Sequence, residues 1–360
     1  MKIPALRHLI LTILPIALVA CGGATKSAPT ANAPGSVEDK KVSLFCWSEY
    51  IPQSIIDDFS KETGINVSVE NYSSNEEMLS KLLAGGGKYD LIQPSEYTVE
   101  ALVKDGQLLP LSPAALSNLS NIAPEFRSMS FDPGNKFSVP FMAGFVGICV
   151  NTDKVKTPIQ GFRDIFTPEH KGRIVIVDDA REIVSWAFGE SKIEINDITT
   201  ENLAKIKPLL KKWLPFVKVY DSDSPKTSLK NGDVDLGVVW SGEAARLYDE
   251  NKKFTFLLPQ EGAHLFVDNM AIPKNATHPQ NAHLFINYLL RAEISKRISD
   301  AFPYYNPNAA ARKLLSPEQL ANPASYPPAQ DITRMQTFRD IGQQSAAVDE
   351  LVTQIKAGGK

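Results

Sequence analysis

Short stretches of this 360-residue chain set aromatic and acidic side chains next to one another. They are Trp47-Ser48-Glu49-Tyr50, Pro94-Ser95-Glu96-Tyr97, Asp178-Asp179-Ala180-Arg181-Glu182 and Trp240-Ser241-Gly242-Glu243. Phe266 and Asp268 share a later apolar run, Ser222 follows another, and Tyr304 stands in a late loop. Carboxylates bind ammonium groups, and a desolvated ammonium gains a further ~0.5–2 kcal/mol from an aromatic face. The methylenes of a long amine stack between flat rings. The chemistry in view is therefore capture of an organic cation. A buried carboxylate cluster without a cation repels itself and is driven toward protonation. Asp179 and Glu182 are three apart at a predicted helix start, so their side chains share a face.

Each residue also has a plainer role open to it. Trp47, Trp240 and Phe266 suit a core, and Asp179 suits a helix N-cap. Glu49 and Glu96 suit solvated loops, Ser95 and Ser222 suit turn caps, and Tyr304 suits an ordinary loop. The weight lies in where the groups fall together.

The elements that position them alternate. Val42 to Trp47 reads as a buried strand, and Pro52 to Thr63 carries Ile55, Ile56 and Phe59 at helical spacing before Gly64. Ile65 to Glu70 alternates as a strand. Ser74 and Glu77 have capping-box spacing at the head of a helix. Tyr89 to Ile92 is a strand and Glu96 to Asp105 a helix. Phe141 to Val150 is a long apolar run, long enough to cross from one domain to another. A second set follows: strands at 173–177, 217–221, 235–240, 254–258 and 265–272, with helices at 180–189, 200–213 and 242–250. The pattern is mostly helical from Gln280, ending with about Gly342 to Lys356. Such alternation predicts an α/β fold of parallel, doubly wound sheets, in which ligands bind beyond the carboxyl ends of the strands. The acid–aromatic stretches fall at those ends.

Other chemistry is missing from the sequence. There is no G-x-S-x-G elbow and no H-E-x-x-H helix, so no enzyme is expected. Gly85-Gly86-Gly87-Lys88 follows a helix and precedes Tyr89, so it reads as a turn rather than a phosphate loop. His278 and His283 are five apart and do not stack on one helix face. No cofactor and no metal are expected. Cys46 and Cys149 lie in apolar strands and read as buried free thiols.

Lys plus Arg total 38 and Asp plus Glu total 41, a formal net charge of −3, which argues against nucleic-acid binding. The amino terminus changes the balance. Lys2 and Arg7 precede an apolar run from Leu9 to Ala20 that is too short to span a bilayer. It ends Leu18-Val19-Ala20-Cys21-Gly22, which resembles the bacterial lipobox and implies cleavage before Cys21 and lipidation of its sulfur. Losing residues 1–20 removes two positive charges and no acid, moving the formal charge to −5. Residues 21–41 read as a flexible tether. An extracytoplasmic protein, in the periplasm or at the cell surface and held to the membrane by lipid alone, is expected.

Longer strings carry a resemblance. Cys46 to Pro52 (CWSEYIP), Phe59 to Ile65 (FSKETGI), Ser95-Glu96-Tyr97, Asp178 to Glu182 (DDARE), Val239 to Gly242 (VWSG) and Ala309 to Pro317 (AAARKLLSP) occur in order. From about residue 42 to the carboxyl terminus the chain resembles the spermidine/putrescine-binding proteins of bacterial ABC importers. The resemblance implies a two-lobed periplasmic-binding-protein fold of type II that closes over a linear polyamine. Lobe 1 would comprise 42–145 and 268–312, and lobe 2 146–267 and 313–360. The resemblance assigns ligand binding to Trp47, Ser48, Glu49, Tyr50, Ser95, Tyr97, Asp179, Glu182, Ser222, Trp240, Phe266, Asp268 and Tyr304, with Asp268 as the central carboxylate. It also implies permease subunits as partners and a monomer as the working form.

Departures bear on ligand choice. Phe266 stands where spermidine binders often carry tryptophan, Ser48 where some carry threonine, and Phe338 where a glutamine can touch ligand. Glu49, Asp179, Glu182 and Asp268 favour a triamine, whereas Phe266 favours a diamine, so both ligands are expected. Alternatives stay open. Tyr304-Tyr305 is similar to the paired tyrosines of ferric-ion binders of this architecture. An amino-acid ligand is disfavoured because no arginine looks free for its carboxylate. A polyamine sensor and an exported hydrolase are the remaining readings.

Overall fold

One strand organises the molecule. The computed structural model describes residues 38–85 and 88–358; the signal segment, Cys21 and the tether up to residue 37 lie outside them. The strands are β1 (Lys41–Trp47), β2 (Asn66–Tyr72), β3 (Leu91–Ile92), β4 (Ser138–Asn151), β5 (Ile174–Ile176), β6 (Val217–Tyr220), β7 (Leu236–Trp240), β8 (Phe254–Leu257) and β9 (Leu265–Ala271). Strand β4 is buried along its whole length, which is why it reads as an unbroken apolar run. Its first half, from Ser138 to Phe145, pairs antiparallel with β9, and its second half, from Val146 to Asn151, pairs antiparallel with β7 and β8. Pro140, which has no N–H to give, sits where the β4–β9 register shifts.

Two sheets thus share β4. The first runs β2-β1-β3-β9-β4, and the second continues through β7, β5 and β6, with β8 also on β4. Strand β1 is parallel to β2 and β3, and β5 is parallel to β6 and β7. The α/β fold is as expected, but the sheets are mixed rather than all parallel. Strand β9 pairs antiparallel with both β3 and β4, and alternation along the chain does not reveal strand direction.

The apolar side chains form two clusters. Leu44, Phe45, Ile55, Phe59, Leu91, Val139 and Phe285 belong to one, and Phe145, Phe162, Ile176, Trp186, Ile206 and Leu236 to the other. Along β4, Ala143 falls in the first and Phe145 in the second. Gly144 lies between them, and a Cβ there would stand under 3.0 Å from Phe266 ring atoms and from Ser241 Oγ. A side chain at 144 would displace Phe266 or Ser241 at the crossing.

Local signals hold with small displacements. The helix Gln53–Thr63 ends at Gly64, whose φ of 72° is the left-handed cap that glycine favours. Ser74 caps Asn75–Leu83 by accepting from Glu77 N, but the Glu77 carboxylate reaches Ser73 N and Oγ rather than Ser74 N. Residues 38–41 are not tether: the Glu38 carboxylate accepts from Gln280 N and Asn281 N, and β1 begins at Lys41. Cys46 and Cys149 are buried and unbridged, and burial pushes both thiols up to about 12. No described helix is long and apolar enough to cross a membrane.

Candidate functional site

Strand ends and one crossing strand build a single cleft. Trp47 closes β1 and leads into Ser48, Glu49 and Tyr50. Ser95 and Tyr97 follow β3, Asp179 and Glu182 follow β5, and Trp240 closes β7. Phe266 and Asp268 lie in β9, and Tyr304 follows the helix Ala292–Ala301. Together with Ser222, they all line one cleft of about 1070 Å³, its mouth included.

Asp268 is a buried acid of the wall, 2% exposed. Ser95 Oγ donates to its Oδ1 at 2.6 Å and Tyr50 OH to its Oδ2 at 2.8 Å. Burial pushes its carboxyl up to about 7, against the pull of those two hydrogen bonds. Asn75 holds Ser95 in place. Its Nδ2 donates to Ser95 Oγ at 3.0 Å and to Tyr97 OH at 2.9 Å. The sequence reading missed Asn75, whose only signal was its place at the head of a capped helix.

Rings enclose the acid. Tyr50 and Phe266 stand 5.5 and 5.9 Å from Tyr304, and Trp240 stands 5.7 Å from Phe266, edge to face. Trp240 Nε1 donates to Ser222 O at 2.9 Å, which fixes the indole. Trp47 packs on Tyr72 with 4.6 Å between centroids. Trp47 Nε1, Ser222 Oγ and Glu182 Oε2 are buried without a hydrogen-bond partner, an expensive condition for polar atoms. Asp179 has both of its expected roles: it accepts from Glu182 N at 3.0 Å as an N-cap, and it lines the cleft. Burial, then repulsion from Glu182, pushes its carboxyl up to about 6.

Two ionic groups were not foreseen. Glu96 is no solvated loop acid; it is 0% exposed. Its Oε1 meets His264 Nε2 at 2.7 Å, and Glu182 Oε1 meets His264 Nδ1 at 2.6 Å. Burial disfavours the imidazolium, but Glu182 and Glu96 outweigh it and lift the pKa to about 10. Glu96 also accepts from Val267 N and Phe338 N, and Phe338 stacks on His264 at 3.7 Å. Phe338 thus stands in the wall, backing the triad. The second group joins Glu49 to Arg246 at 3.0 Å and to Lys226 at 3.5 Å, with Lys226 also 2.6 Å from Glu243. An arginine does line the cleft, then, but it is already paired. Glu49 carries a φ of 52°, a left-handed conformation uncommon outside glycine.

Tyr305 points elsewhere than Tyr304. Arg312 Nη1 donates to its hydroxyl at 2.6 Å, and its ring packs on Phe126, Phe145 and Tyr326. The two tyrosines do not face one site.

Residues 54–328 match the family described as bacterial extracellular solute-binding protein. A spermidine/putrescine-binding periplasmic protein of Salmonella typhimurium is 35% identical over 95% of this chain and 98% of its own length. The putrescine-binding periplasmic protein PotF of Escherichia coli is 31% identical over 84% of this chain and 88% of its own. Among solved structures, a Listeria monocytogenes protein described as a spermidine/putrescine ABC transporter superposes with a TM-score of 0.85 at 31% identity, over 88% of this chain and 99% of that one. The substrate-binding protein PotD of Streptococcus pneumoniae gives 0.78 at 31% identity, over 89% of this chain and all of that one.

Proposed function

The chain belongs to the bacterial extracellular solute-binding proteins, and from that premise we propose that it captures linear polyamines and delivers them to the permease of an ABC importer. One observation carries the ligand class. Asp268 is buried among rings, receives hydroxyl donors from Ser95 and Tyr50, and forms no ion pair with a side-chain cation of the described residues. An ammonium placed there gains a charge-assisted hydrogen bond and aromatic faces together. Relatives named for spermidine and putrescine support the same ligand class.

Capture works by closure. The residues that meet the ligand come from both apolar clusters, which we take as lobes 42–145 with 268–312 and 146–267 with 313–360. Ser48 donates to Asp223 at 3.3 Å, Arg339 pairs with Glu100 at 2.7 Å and Lys104 with Asp340 at 2.7 Å, so the lobes also touch directly. A ligand held by both lobes favours the closed form by its differential affinity for it. The order of basic start, apolar run and Cys21 supports lipid anchoring outside the cytoplasm.

Titration calorimetry with putrescine, spermidine and spermine tests the reading, and one site per chain is expected. Absence of both heat and thermal shift with all of them would sink it. A second check uses Gly242, where an added Cβ would stand under 3.0 Å from Tyr304 ring atoms. Gly242→Ala is expected to push that ring into the cleft and weaken amine binding roughly tenfold or more, while the protein stays folded. Unchanged affinity would remove Tyr304 from the binding wall.

A further inference from the structure

We propose that Lys226, from behind the cleft wall and helped by Arg246, engages the wall carboxylates Glu49 and Glu243 that would otherwise seat an ammonium, so that the site prefers a linear diamine to a triamine. The inference rests on the polyamine reading above and goes beyond it. A lysine side chain is a four-methylene stem ending in an ammonium, which is chemically one end of an aliphatic polyamine. Lys226 opens the short helix Lys226–Asn231, and its Nζ lies 2.6 Å from Glu243 Oε2 and 3.5 Å from Glu49 Oε2. The Lys226 side chain is only 18% exposed and that of Glu243 7%. Glu49 and Glu243 both line the cleft. They reach it from different walls, one beyond the end of β1 and the other in the helix that follows β7. Carboxylates from two walls converging on one cation are what a captured ammonium requires, and here the chain supplies the cation.

Arg246 adds to this. It lines the cleft, its Nη1 is 3.0 Å from Glu49 Oε2, and its guanidinium lies 5.6 Å from the Phe302 ring, which is also in the wall. Carboxylate and ring at this end are therefore already engaged with a cation. The opposite end differs. Among the described residues Asp268 and Asp179 form no ion pair, and Glu182 Oε2 has no partner although His264 holds its Oε1. Asp223 also lines the cleft and pairs with no cation of the described residues, but it is exposed to solvent; the enclosed seats left for a ligand are Asp268 and the Asp179–Glu182 corner, which suit two ammonium groups. A third would have to approach Lys226 and Arg246, and like charges in a confined site repel strongly.

Calorimetry on the full chain with putrescine and spermidine tests the proposal. The native protein is expected to bind putrescine more tightly. Lys226→Met, which keeps an apolar stem and removes the charge, is expected to shift the ratio of the two affinities toward spermidine by about tenfold or more. Lys226→Arg is expected to keep the native ratio. A native protein that binds spermidine as tightly as putrescine overturns the proposal. So does a Lys226→Met protein in which both affinities move together, since that result makes Lys226 only a latch between walls. Should Lys226→Met fail to fold, Arg246→Gln tests the same seat, with the same shift expected and an unmoved ratio again fatal. If the native chain binds no amine at all, the polyamine reading itself fails, an outcome distinct from binding without preference.

Discussion

Asp268→Asn is expected to lower affinity for putrescine or spermidine by roughly 30-fold to several-thousand-fold, the ordinary cost of removing one partner of a buried, hydrogen-bonded charge pair. The substitution keeps the shape of the side chain and removes only its charge. Of Ser95 Oγ and Tyr50 OH, 2.6 and 2.8 Å away, one keeps an acceptor in the amide oxygen and the other turns to accept from the amide NH2, so the lesion is mainly electrostatic. The pH dependence separates it from a general loss of fold. In the ligand-free protein the Asp268 carboxyl is pushed up to about 7. Below that value, binding an ammonium must first expel a proton, and affinity is expected to fall about tenfold per pH unit as pH drops below 7. Asp179, pushed up to about 6, steepens the fall below its own value. Asp268→Asn should lose the part of the profile centred near 7. A variant that binds as tightly as the native protein, or that keeps this part of the profile, would refute the role. The same shift sets the sign for stability. Between the unfolded pKa near 3.8 and about 7 the folded state holds the extra proton, so the ligand-free protein loses stability as pH rises through that window. The thermal shift on adding amine is therefore expected to be larger at pH 8 than at pH 5.5.

How much of this was legible in the sequence follows from range. Local chemistry was readable. The helix Thr200–Trp213, the cap at Ser74 and the stop at Gly64 depend on residues a few positions apart. The acid–aromatic pairs at strand ends were readable too, because the ends of strands in one sheet are neighbours whatever the details, and the cleft gathers all of the residues proposed for it. The mixed direction of the sheets was not, since β4 and β9 pair across more than a hundred residues. His264 shows the limit for the site. It is one histidine in an apolar stretch, and its partners Glu96 and Glu182 are 168 and 82 residues away. Nothing in its local string separates a core histidine from the centre of an ionic triad. Lys226 and Arg246 look like ordinary surface cations for the same reason. The four acids named from the sequence all line the cleft, but Asp178, Asp223 and Glu243 line it too, and the cations that already satisfy some of these acids became visible only in the fold. That shifts the expectation from both ligands, the triamine favoured by four acids and the diamine by Phe266, toward the diamine.

His264→Gln is expected to destabilise the protein by about 3–5 kcal/mol, because it removes the cation that two buried carboxylates share. Glu96 and Glu182 are 0% and 1% exposed, so water cannot replace the imidazolium, and one of them must take up a proton. For a chain of this size the melting temperature should drop on the order of 10 °C. The triad ties the helix after β3 to the helix after β5 through His264, the residue just before β9, and it also holds Phe338 N. Loss of the cation therefore loosens the place where chain segments pass between the lobes. Its pH signature follows from the sign of the shift. Below pH 6.5 the imidazole is protonated in the folded and unfolded chain alike, and the contribution is fully present. Above 6.5 the unfolded chain releases its proton while the folded chain keeps it up to about 10, so stability declines steadily across that window. Melting temperatures of the ligand-free native protein between pH 6.5 and 10 should show the decline, and those of His264→Gln should lack it. A variant that melts within a degree or two of the native protein, or that keeps the same decline, would show that the triad does not hold the fold together. Affinity gives the complementary readout. With the imidazolium gone, the surviving charge of the Glu96–Glu182 pair is free to pull an ammonium toward the Asp179 corner. A folded His264→Gln protein should therefore bind amine no more weakly than the native one at neutral pH, in contrast to Asp268→Asn.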